Sequence, residues 1–151
     1  MPVPRPMVAS LVLAAAVHAT AFAQDTRRYI TPSSAADAGS RPFSGAVEVG
    51  KTLYLSGDIG LDETGKKVPA SVEAEAQILL GNIQRTLKEA GYTMDDLVTV
   101  TVYCSDVKHY DTFNKVYRTY FKKEFPARAS IGAGTLLFNA RFEMQGIAVK
   151  R

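Results

Sequence analysis

An amphipathic helix followed by an alternating strand is the feature that most constrains this fold. Ser71 to Ala90 repeats apolar residues at three- and four-residue steps, which predicts a helix with one buried face. Ser71 is a suitable N-cap, and Gly91 is a natural stop for the helix. Leu97 to Cys104 then alternates apolar with polar or aromatic residues, a pattern typical of a half-buried strand. The side of this strand that we expect to face the helix carries Val98, Val100, Val102 and Cys104.

The chain before this helix predicts an edge strand, a loop, a hairpin and a long turn. Tyr29-Ile30 is predicted to form a short edge strand, and residues 31–41, rich in small and polar residues, form a loop. Ala46–Val49 and Thr52–Ser56 flank a glycine that supplies the turn of a hairpin. Gly57–Pro69 is predicted to be a second turn region.

The chain after the alternating strand predicts a second helix and two final strands. His109–Lys122 carries aromatic residues at helical spacing, which indicates core packing rather than a binding feature. The final strands cover about residues 129–133 and 140–149. In the last strand Phe142, Met144 and Ala148 share one face, because side chains alternate across a strand. The residues that we expect on the opposite face are Arg141, Glu143, Gln145 and Ile147.

The predicted order of elements is β-β-β-α-β-α-β-β. This order indicates an α+β domain with both helices covering one face of a single sheet. The other face of the sheet carries threonine, tyrosine, serine and glutamate, with scattered large apolar groups. Such a face suits a symmetric assembly that packs sheets against each other.

The first 23 residues are predicted to be a secretory signal peptide. Arg5 provides an early positive charge, Met7–Val17 is an apolar run, and Ala21–Ala23 resembles a cleavage site. The apolar run is too short to span a bilayer, although an uncleaved N-terminal anchor is the alternative. Cleavage leaves residues 24–151 as one domain, which we expect in the periplasm and free of the membrane.

The charge and the reactive residues exclude several classes of function. With 18 basic and 15 acidic residues, scattered along the chain, the sequence does not indicate a nucleic-acid partner. Cys104 is the only cysteine, so an intramolecular disulfide is impossible, and we expect this thiol to be buried. His109 is the only histidine after the leader, which leaves neither a zinc constellation nor a supported Ser-His-Asp triad. We therefore expect no metal and no cofactor.

Two charged residues stand in the region of the final strands. Arg128 opens the first run, and Glu143 lies inside the second. A guanidinium binds a carboxylate bidentately, and a carboxylate within an apolar strand is costly unless it is paired or functional. We hypothesise that the two residues share one pocket, in which Arg128 holds an acidic substrate and Glu143 moves a proton. A structural ion pair between neighbouring strands is the alternative.

Several short motifs point to a known family when their order and spacing are taken together. Arg128 is followed fifteen residues later by Glu143, and the motifs are Arg41–Val47, Leu55–Gly60, Phe113–Tyr117, Phe125–Arg128 and Phe142–Ala148. The chain resembles the Rid/YjgF family of reactive-intermediate imine and enamine deaminases over about residues 29–149. The resemblance implies a chorismate-mutase-like fold and a homotrimer with sites at subunit interfaces.

The resemblance also implies the reaction and its two main residues. Arg128 matches the arginine that grips the substrate carboxylate, and Glu143 matches the acid that positions or activates the hydrolytic water. The implied function is hydrolysis of small 2-imino or enamine acids, such as 2-iminopropanoate or 2-iminobutanoate, to 2-keto acids and ammonia. No cofactor is implied.

Further pocket residues follow from the same resemblance. Ser56 and Gly57 match a Ser-Gly pair that lines the pocket, and Asn114 matches a pocket-facing asparagine. Ser130 falls where many members have cysteine, although its backbone still serves. Phe43 stands where tyrosine is common, so a hydroxyl that would orient the substrate is missing.

Other positions depart from the family pattern and keep two alternatives open. Gly45 and Asp58 replace glutamine, Leu137 replaces a proline, and Gln145 replaces the second acid of the last strand. The first alternative is a non-catalytic relative that binds small carboxylates or acts as a chaperone-like surface. The second is an endoribonuclease, against which the scattered basic residues weigh.

Overall fold

The computed structural model describes residues 26–31, 42–62, 64–122 and 124–151. The predicted leader and most of the predicted loop at 31–41 lie outside these residues. Within the described part of the chain, no helix is long and apolar enough to cross a membrane.

The described residues form one six-stranded sheet and two α-helices, in the predicted order β-β-β-α-β-α-β-β. The strands are β1 (Arg27–Ile30), β2 (Ala46–Val49), β3 (Thr52–Ile59), β4 (Leu97–Cys104), β5 (Ala127–Gly132) and β6 (Phe142–Val149). The helices are α1 (Val72–Ala90) and α2 (Tyr110–Arg118), and short 3₁₀ turns cover Met94–Asp96, Val107–His109 and Leu137–Asn139.

The sheet order is β1-β2-β3-β6-β4-β5, so the last strand of the chain lies in the middle. β5 pairs with β4 in parallel and forms one edge, whereas the other neighbouring strands are antiparallel. Both helices pack on one face of this sheet, as predicted, because α1 and α2 each bury apolar side chains against it. Among the described residues, no helix covers the opposite face, which we call the open face.

The core lies between α1 and the central strands. Leu79, Leu87, Phe142 and Met144 are completely buried, and the ring of Phe113 from α2 packs 4.9 Å from that of Phe142. The predicted ends of α1 are confirmed. The Ser71 hydroxyl accepts the N–H of Ala74 at 3.2 Å, and Gly91 adopts the left-handed conformation that ends the helix.

β3 and β4 each contain an irregularity in their pairing, and each differs from the sequence prediction. β3 continues to Ile59 instead of ending at Ser56, and its pairing with β6 shifts between Leu55 and Asp58. A shift between Leu97 and Thr99 also interrupts β4. Leu97 is therefore buried there, whereas Val98 is 48% exposed and does not join the predicted buried face.

The second helix is shorter than predicted. It covers Tyr110–Arg118 and follows a 3₁₀ turn at Val107–His109, which Asp106 caps by accepting the N–H of Lys108. The helix ends where the hydroxyl of Thr119 donates to the carbonyl of Val116 at 2.7 Å. The prediction of one helix to residue 122 was wrong because the aromatic spacing continues past this end.

A buried ion pair, which the sequence did not predict, fixes the start of β6. Glu75 in α1 is 0% exposed, and its carboxylate accepts the backbone N–H of Arg141 at 2.6 Å and of Phe142 at 3.2 Å. The Arg141 guanidinium lies 2.6 Å from the same carboxylate and also donates to the Pro69 carbonyl at 2.9 Å. Arg141 therefore precedes β6 and binds α1, instead of sharing the open face with Glu143.

Candidate functional site

Arg128 is held against the second helix by two tyrosine rings. It pairs with the buried Val100 across β4, so its side chain leaves the sheet on the helix-covered face. Its Nη2 donates to the Tyr110 hydroxyl at 3.3 Å. Its Cζ lies 5.6 Å from the centre of the Tyr110 ring and 4.8 Å from that of Tyr117, within cation–π range. The guanidinium is thus oriented before any ligand binds.

Two further predicted residues lie with Arg128 on this side of the molecule. Asn114 is on α2, and its hydrogen bond to the Tyr110 hydroxyl is the main reason that the pKa of Tyr110 falls below its ordinary value. Ser130 follows Arg128 by two residues along β5, so both point to the same face, and it is exposed. We call Arg128, Tyr110, Asn114, Tyr117 and Ser130 the arginine cluster.

Tyr117 contributes its ring to this cluster rather than its hydroxyl. The residue is 3% exposed, and the hydroxyl has no hydrogen-bond partner among the described residues. Burial raises the pKa of Tyr117 to about 12, although the charge of Arg128 opposes the shift. The phenol therefore stays neutral beside the guanidinium over the ordinary pH range.

Glu143 lies on the open face of the sheet. Its neighbours in β6, Phe142 and Met144, are completely buried on the helix side, so Glu143 points away from the helices. Its carboxylate lies over Gly57 of β3. A methyl group at Gly57 would overlap Glu143 Oε1 and come within 3.1 Å of its Cδ. Only a residue without a side chain leaves this space to the carboxylate.

The predicted Ser56 directly precedes Gly57 in β3 and is hydrogen-bonded to the segment that carries Phe43. The Ser56 hydroxyl donates to the Ser44 carbonyl at 2.6 Å, and its N–H donates to the Gly45 carbonyl at 3.0 Å. These bonds hold the segment that carries Phe43, whose side chain is 54% exposed. We call Glu143, Gly57, Ser56 and Phe43 the glutamate cluster.

Asp58 does not belong to the glutamate cluster, although it directly follows Gly57. It pairs with Met144, which places its side chain on the helix side of the sheet. There its Oδ1 accepts hydrogen bonds from Asn82 Nδ2 at 3.2 Å and from the N–H of Ile59 at 2.8 Å. The departure from the family pattern at this position therefore lies on the face opposite to Glu143.

Arg128 and Glu143 face opposite sides of the sheet within one protomer. β4 lies between their strands, and Val100 is level with Arg128 whereas Tyr103 is level with Glu143. The alternative of an ion pair between neighbouring strands was therefore wrong. No salt bridge joins the two residues within the described ranges, and a pocket that contains both side chains requires more than one copy of this chain.

The described residues offer neither a cluster of metal-binding side chains nor a reactive thiol. Across those residues, no group of three or more histidine, cysteine, aspartate or glutamate side chains could hold a metal ion. Cys104 is buried, as predicted, and burial raises the pKa of its thiol. This cysteine is therefore a poor nucleophile.

Comparison with known proteins identifies the class to which this fold and site belong. The sequence profile of the family described as Endoribonuclease L-PSP matches residues 33–150. The chain belongs to this family, which is the Rid/YjgF family that the motifs indicated. Residues 33–150 include both clusters and the whole sheet except β1.

One annotated relative and two solved structures show how similar the chain is to known members. It is 38% identical over 124 residues to the 2-iminobutanoate/2-iminopropanoate deaminase of Mus musculus, covering 82% of this chain and 92% of the relative. The YjgF gene product of E. coli matches with a TM-score of 0.75 and 30% identity, over 82% and 99% of the two chains. E. coli TdcF with bound serine matches with a TM-score of 0.75 and 25% identity, over 82% and 100%. The expected YjgF-type, chorismate-mutase-like fold is confirmed.

Sequence reasoning missed the role of the tyrosines in the arginine cluster. Tyr110 and Tyr117 were assigned to a core stripe, and Tyr117 is indeed buried, but Tyr110 is 46% exposed. The residue type was the feature of the sequence that could have indicated this role. A tyrosine hydroxyl, unlike a phenylalanine ring, needs a polar partner, and Arg128 provides one for Tyr110.

Proposed function

We propose that this chain hydrolyses small 2-imino or enamine acids to 2-keto acids and ammonia, with 2-iminopropanoate and 2-iminobutanoate as representative substrates. The observation that carries the proposal is an arginine held ready by two tyrosine rings, with a carboxylate seated over a glycine on the other face. The name of the mouse relative supports the reaction. The serine bound to TdcF supports the ligand class, because serine also carries a carboxylate beside a nitrogen-bearing carbon.

The proposed site is shared between chains of a homotrimer. Since Arg128 and Glu143 point to opposite faces, Arg128 of one protomer and Glu143 of a neighbour supply the two halves of each site. Two features of the protomer support such an assembly. The open face exposes Tyr54 and Ile131, at 49% and 44%, and β5 forms an edge of the sheet that the described residues build.

The proposed reaction uses the two clusters in sequence. Arg128 binds the substrate carboxylate bidentately, which orients the adjacent imine carbon. Glu143 accepts a proton from water as the water oxygen attacks that carbon, and passes this proton to the imine nitrogen, which gives a neutral carbinolamine. Glu143 then takes the proton of the carbinolamine hydroxyl and transfers it to the amino nitrogen, so that the C–N bond breaks, ammonia leaves and the carbonyl of the keto acid forms. The proposal requires no cofactor.

The direct test measures keto-acid release from freshly generated 2-imino acids. We expect the wild-type chain to exceed the spontaneous rate, and Arg128→Ala and Glu143→Gln to fall to it. Arg85→Ala and Glu73→Gln, both exposed on α1, are matched controls that should retain wild-type activity. A wild-type rate equal to the blank would contradict the deaminase proposal.

Gly57→Ala tests the seat of the Glu143 carboxylate. Gly57 does not adopt a positive φ angle, so its backbone accepts alanine, but the added methyl group displaces Glu143 Oε1. We expect turnover to fall by about 10²-fold, the loss typical of a misplaced catalytic group. Gly81→Ala in α1 is the control, since its added carbon meets only the Tyr120 hydroxyl at 3.9 Å. Wild-type turnover in Gly57→Ala would show that the position of Glu143 is unimportant.

Binding of small carboxylates without turnover is the second candidate function. Phe43 favours it, because its exposed side chain offers no hydroxyl to a bound substrate. Calorimetric binding of 2-oxobutanoate by a chain that does not accelerate imine hydrolysis would support this candidate.

Export is proposed on the sequence pattern of residues 1–23. The proposed mature chain begins near Gln24 and acts in the periplasm on imines produced outside the cytosol. Mass spectrometry of the protein from a periplasmic fraction tests this, and a chain that retains Met1–Ala23 would contradict cleavage.

A further inference from the structure

Tyr110 contacts Arg128 in two independent ways. Its hydroxyl oxygen accepts from Nη2, and its ring lies under the guanidinium. Tyr117, seven residues further along the same helix, contributes a second ring at 4.8 Å. Of the two hydroxyls only that of Tyr110 reaches the guanidinium, because the Tyr117 hydroxyl has no partner among the described residues.

A guanidinium has five N–H donors, and a bidentate carboxylate uses two of them. The Tyr110 hydroxyl engages Nη2 and so restricts rotation of the guanidinium, while donors remain for a ligand. Tyr110 is itself about half exposed, so its hydroxyl also lies at the surface that a carboxylate approaches. Such an oxygen orients the arginine without neutralising it, which a carboxylate in the same place would do.

We propose that Tyr110 is a positioning residue of the carboxylate site, which sets the affinity for anionic ligands through the hydrogen bond between its hydroxyl and Arg128. The identity of the ligand rests on the proposed function, whereas the contact between Tyr110 and Arg128 does not. Asn114 supports the arrangement because it donates to the same hydroxyl.

The ionisation of Tyr110 adds a second, independent readout. The groups that act on the hydroxyl are Asn114 and Arg128, which lower the pKa of Tyr110, and Asp111 on the same helix, which raises it. The net shift is downward from the ordinary value. As the pH rises through this lowered pKa, the hydroxyl becomes a phenolate that pairs with Arg128 and repels an anionic ligand. Affinity is therefore highest below this pKa and falls as the pH rises through it.

The experiment titrates 2-oxobutanoate into the full mature chain by calorimetry, with parallel measurement of KM and kcat. We expect Tyr110→Phe to weaken binding and raise KM by about three- to tenfold, the usual effect of one lost hydrogen bond, with kcat nearly unchanged. Tyr110→Leu, which also loses the ring, is expected to weaken binding further. Tyr120→Phe is the matched control, since that hydroxyl donates to the Gln77 carbonyl on α1.

The pH series separates positioning from a merely structural effect. Wild type and Tyr120→Phe should lose affinity on the alkaline side, whereas Tyr110→Phe should not. Equal affinities of wild type and Tyr110→Phe, or the same alkaline loss in both, would overturn the role of Tyr110. Wild type that binds 2-oxobutanoate without turnover would overturn only the proposed deamination, and wild type that does not bind it would overturn the carboxylate site and the role of Tyr110 together.

Discussion

Two inactive variants are expected to restore activity when they assemble together. Arg128→Ala and Glu143→Gln each remove one half of every proposed site. Because the two side chains lie on opposite faces of the protomer, a mixed assembly places an intact Arg128 beside an intact Glu143 from another chain. In a closed ring of three chains that contains both chain types, one of the three sites has both groups. The co-assembled protein, freed of single-type rings by purification through both tags, should therefore show about one third of wild-type activity.

Co-expression of the two variants with different tags, followed by purification through both tags, provides the sample. The double variant Arg128→Ala/Glu143→Gln, co-assembled with itself, is the control and should remain at the spontaneous rate. Native mass spectrometry establishes that both chain types are present in one assembly. Mixed assemblies without recovered activity would show that each site draws both groups from a single chain, which would contradict the shared site.

Glu75→Ala is expected to lower the free energy of unfolding by about 3–5 kcal/mol, as is usual when one partner of a buried ion pair is removed. Glu75 is completely buried, and its carboxylate holds the Arg141 guanidinium and two backbone N–H groups at the start of β6. Alanine leaves the guanidinium and both N–H groups without this partner. Urea unfolding followed by circular dichroism, at one fixed protein concentration, measures the difference in the free energy of unfolding between wild type and Glu75→Ala.

Glu73→Ala is the matched control for this measurement. Glu73 lies two residues earlier on α1, is exposed, and adds favourable charge at the helix N-terminus. Its replacement should leave the unfolding midpoint almost unchanged. A loss in Glu75→Ala no larger than that in Glu73→Ala would show that the ion pair does not hold β6 in place.

The elements with regular periodicity were predictable from the sequence. α1 repeats its apolar residues with the helical period, and both of its caps are residues with a known preference, so its bounds were correct at each end. β6 likewise alternates along its length, and the prediction that Phe142, Met144 and Ala148 share one face is confirmed, since all three are buried. In these segments local preference and tertiary packing favour the same structure.

The arrangement of the site was not predictable, because it depends on which strands are neighbours. Arg128 and Glu143 are close in sequence, but β6 pairs with β3 and β4, and β4 separates it from β5. The burial at the start of β4 differs from the prediction for a similar reason, since a pairing shift between Leu97 and Thr99 decides which of Leu97 and Val98 is buried. Strand order and pairing irregularities depend on contacts between residues that are distant in sequence. The periodicity of a single sequence therefore does not predict them.

The extra residue in β3 has a consequence for how this chain tolerates insertions and deletions. Leu55 and Asp58 both face the helices although an odd number of positions separates them, so the two halves of β3 are out of phase. A deletion of Ser56 would remove this extra residue, and regular alternation would leave Leu55 and Asp58 facing the helices and Ile59 on the face of Glu143. A deletion of Gly57 would keep the same facing but bring Ser56 under Glu143, whose carboxylate occupies the space that a Cβ would need. The pairing of β3 therefore tolerates the loss of either residue, but only the first deletion keeps the glycine on which the position of Glu143 depends.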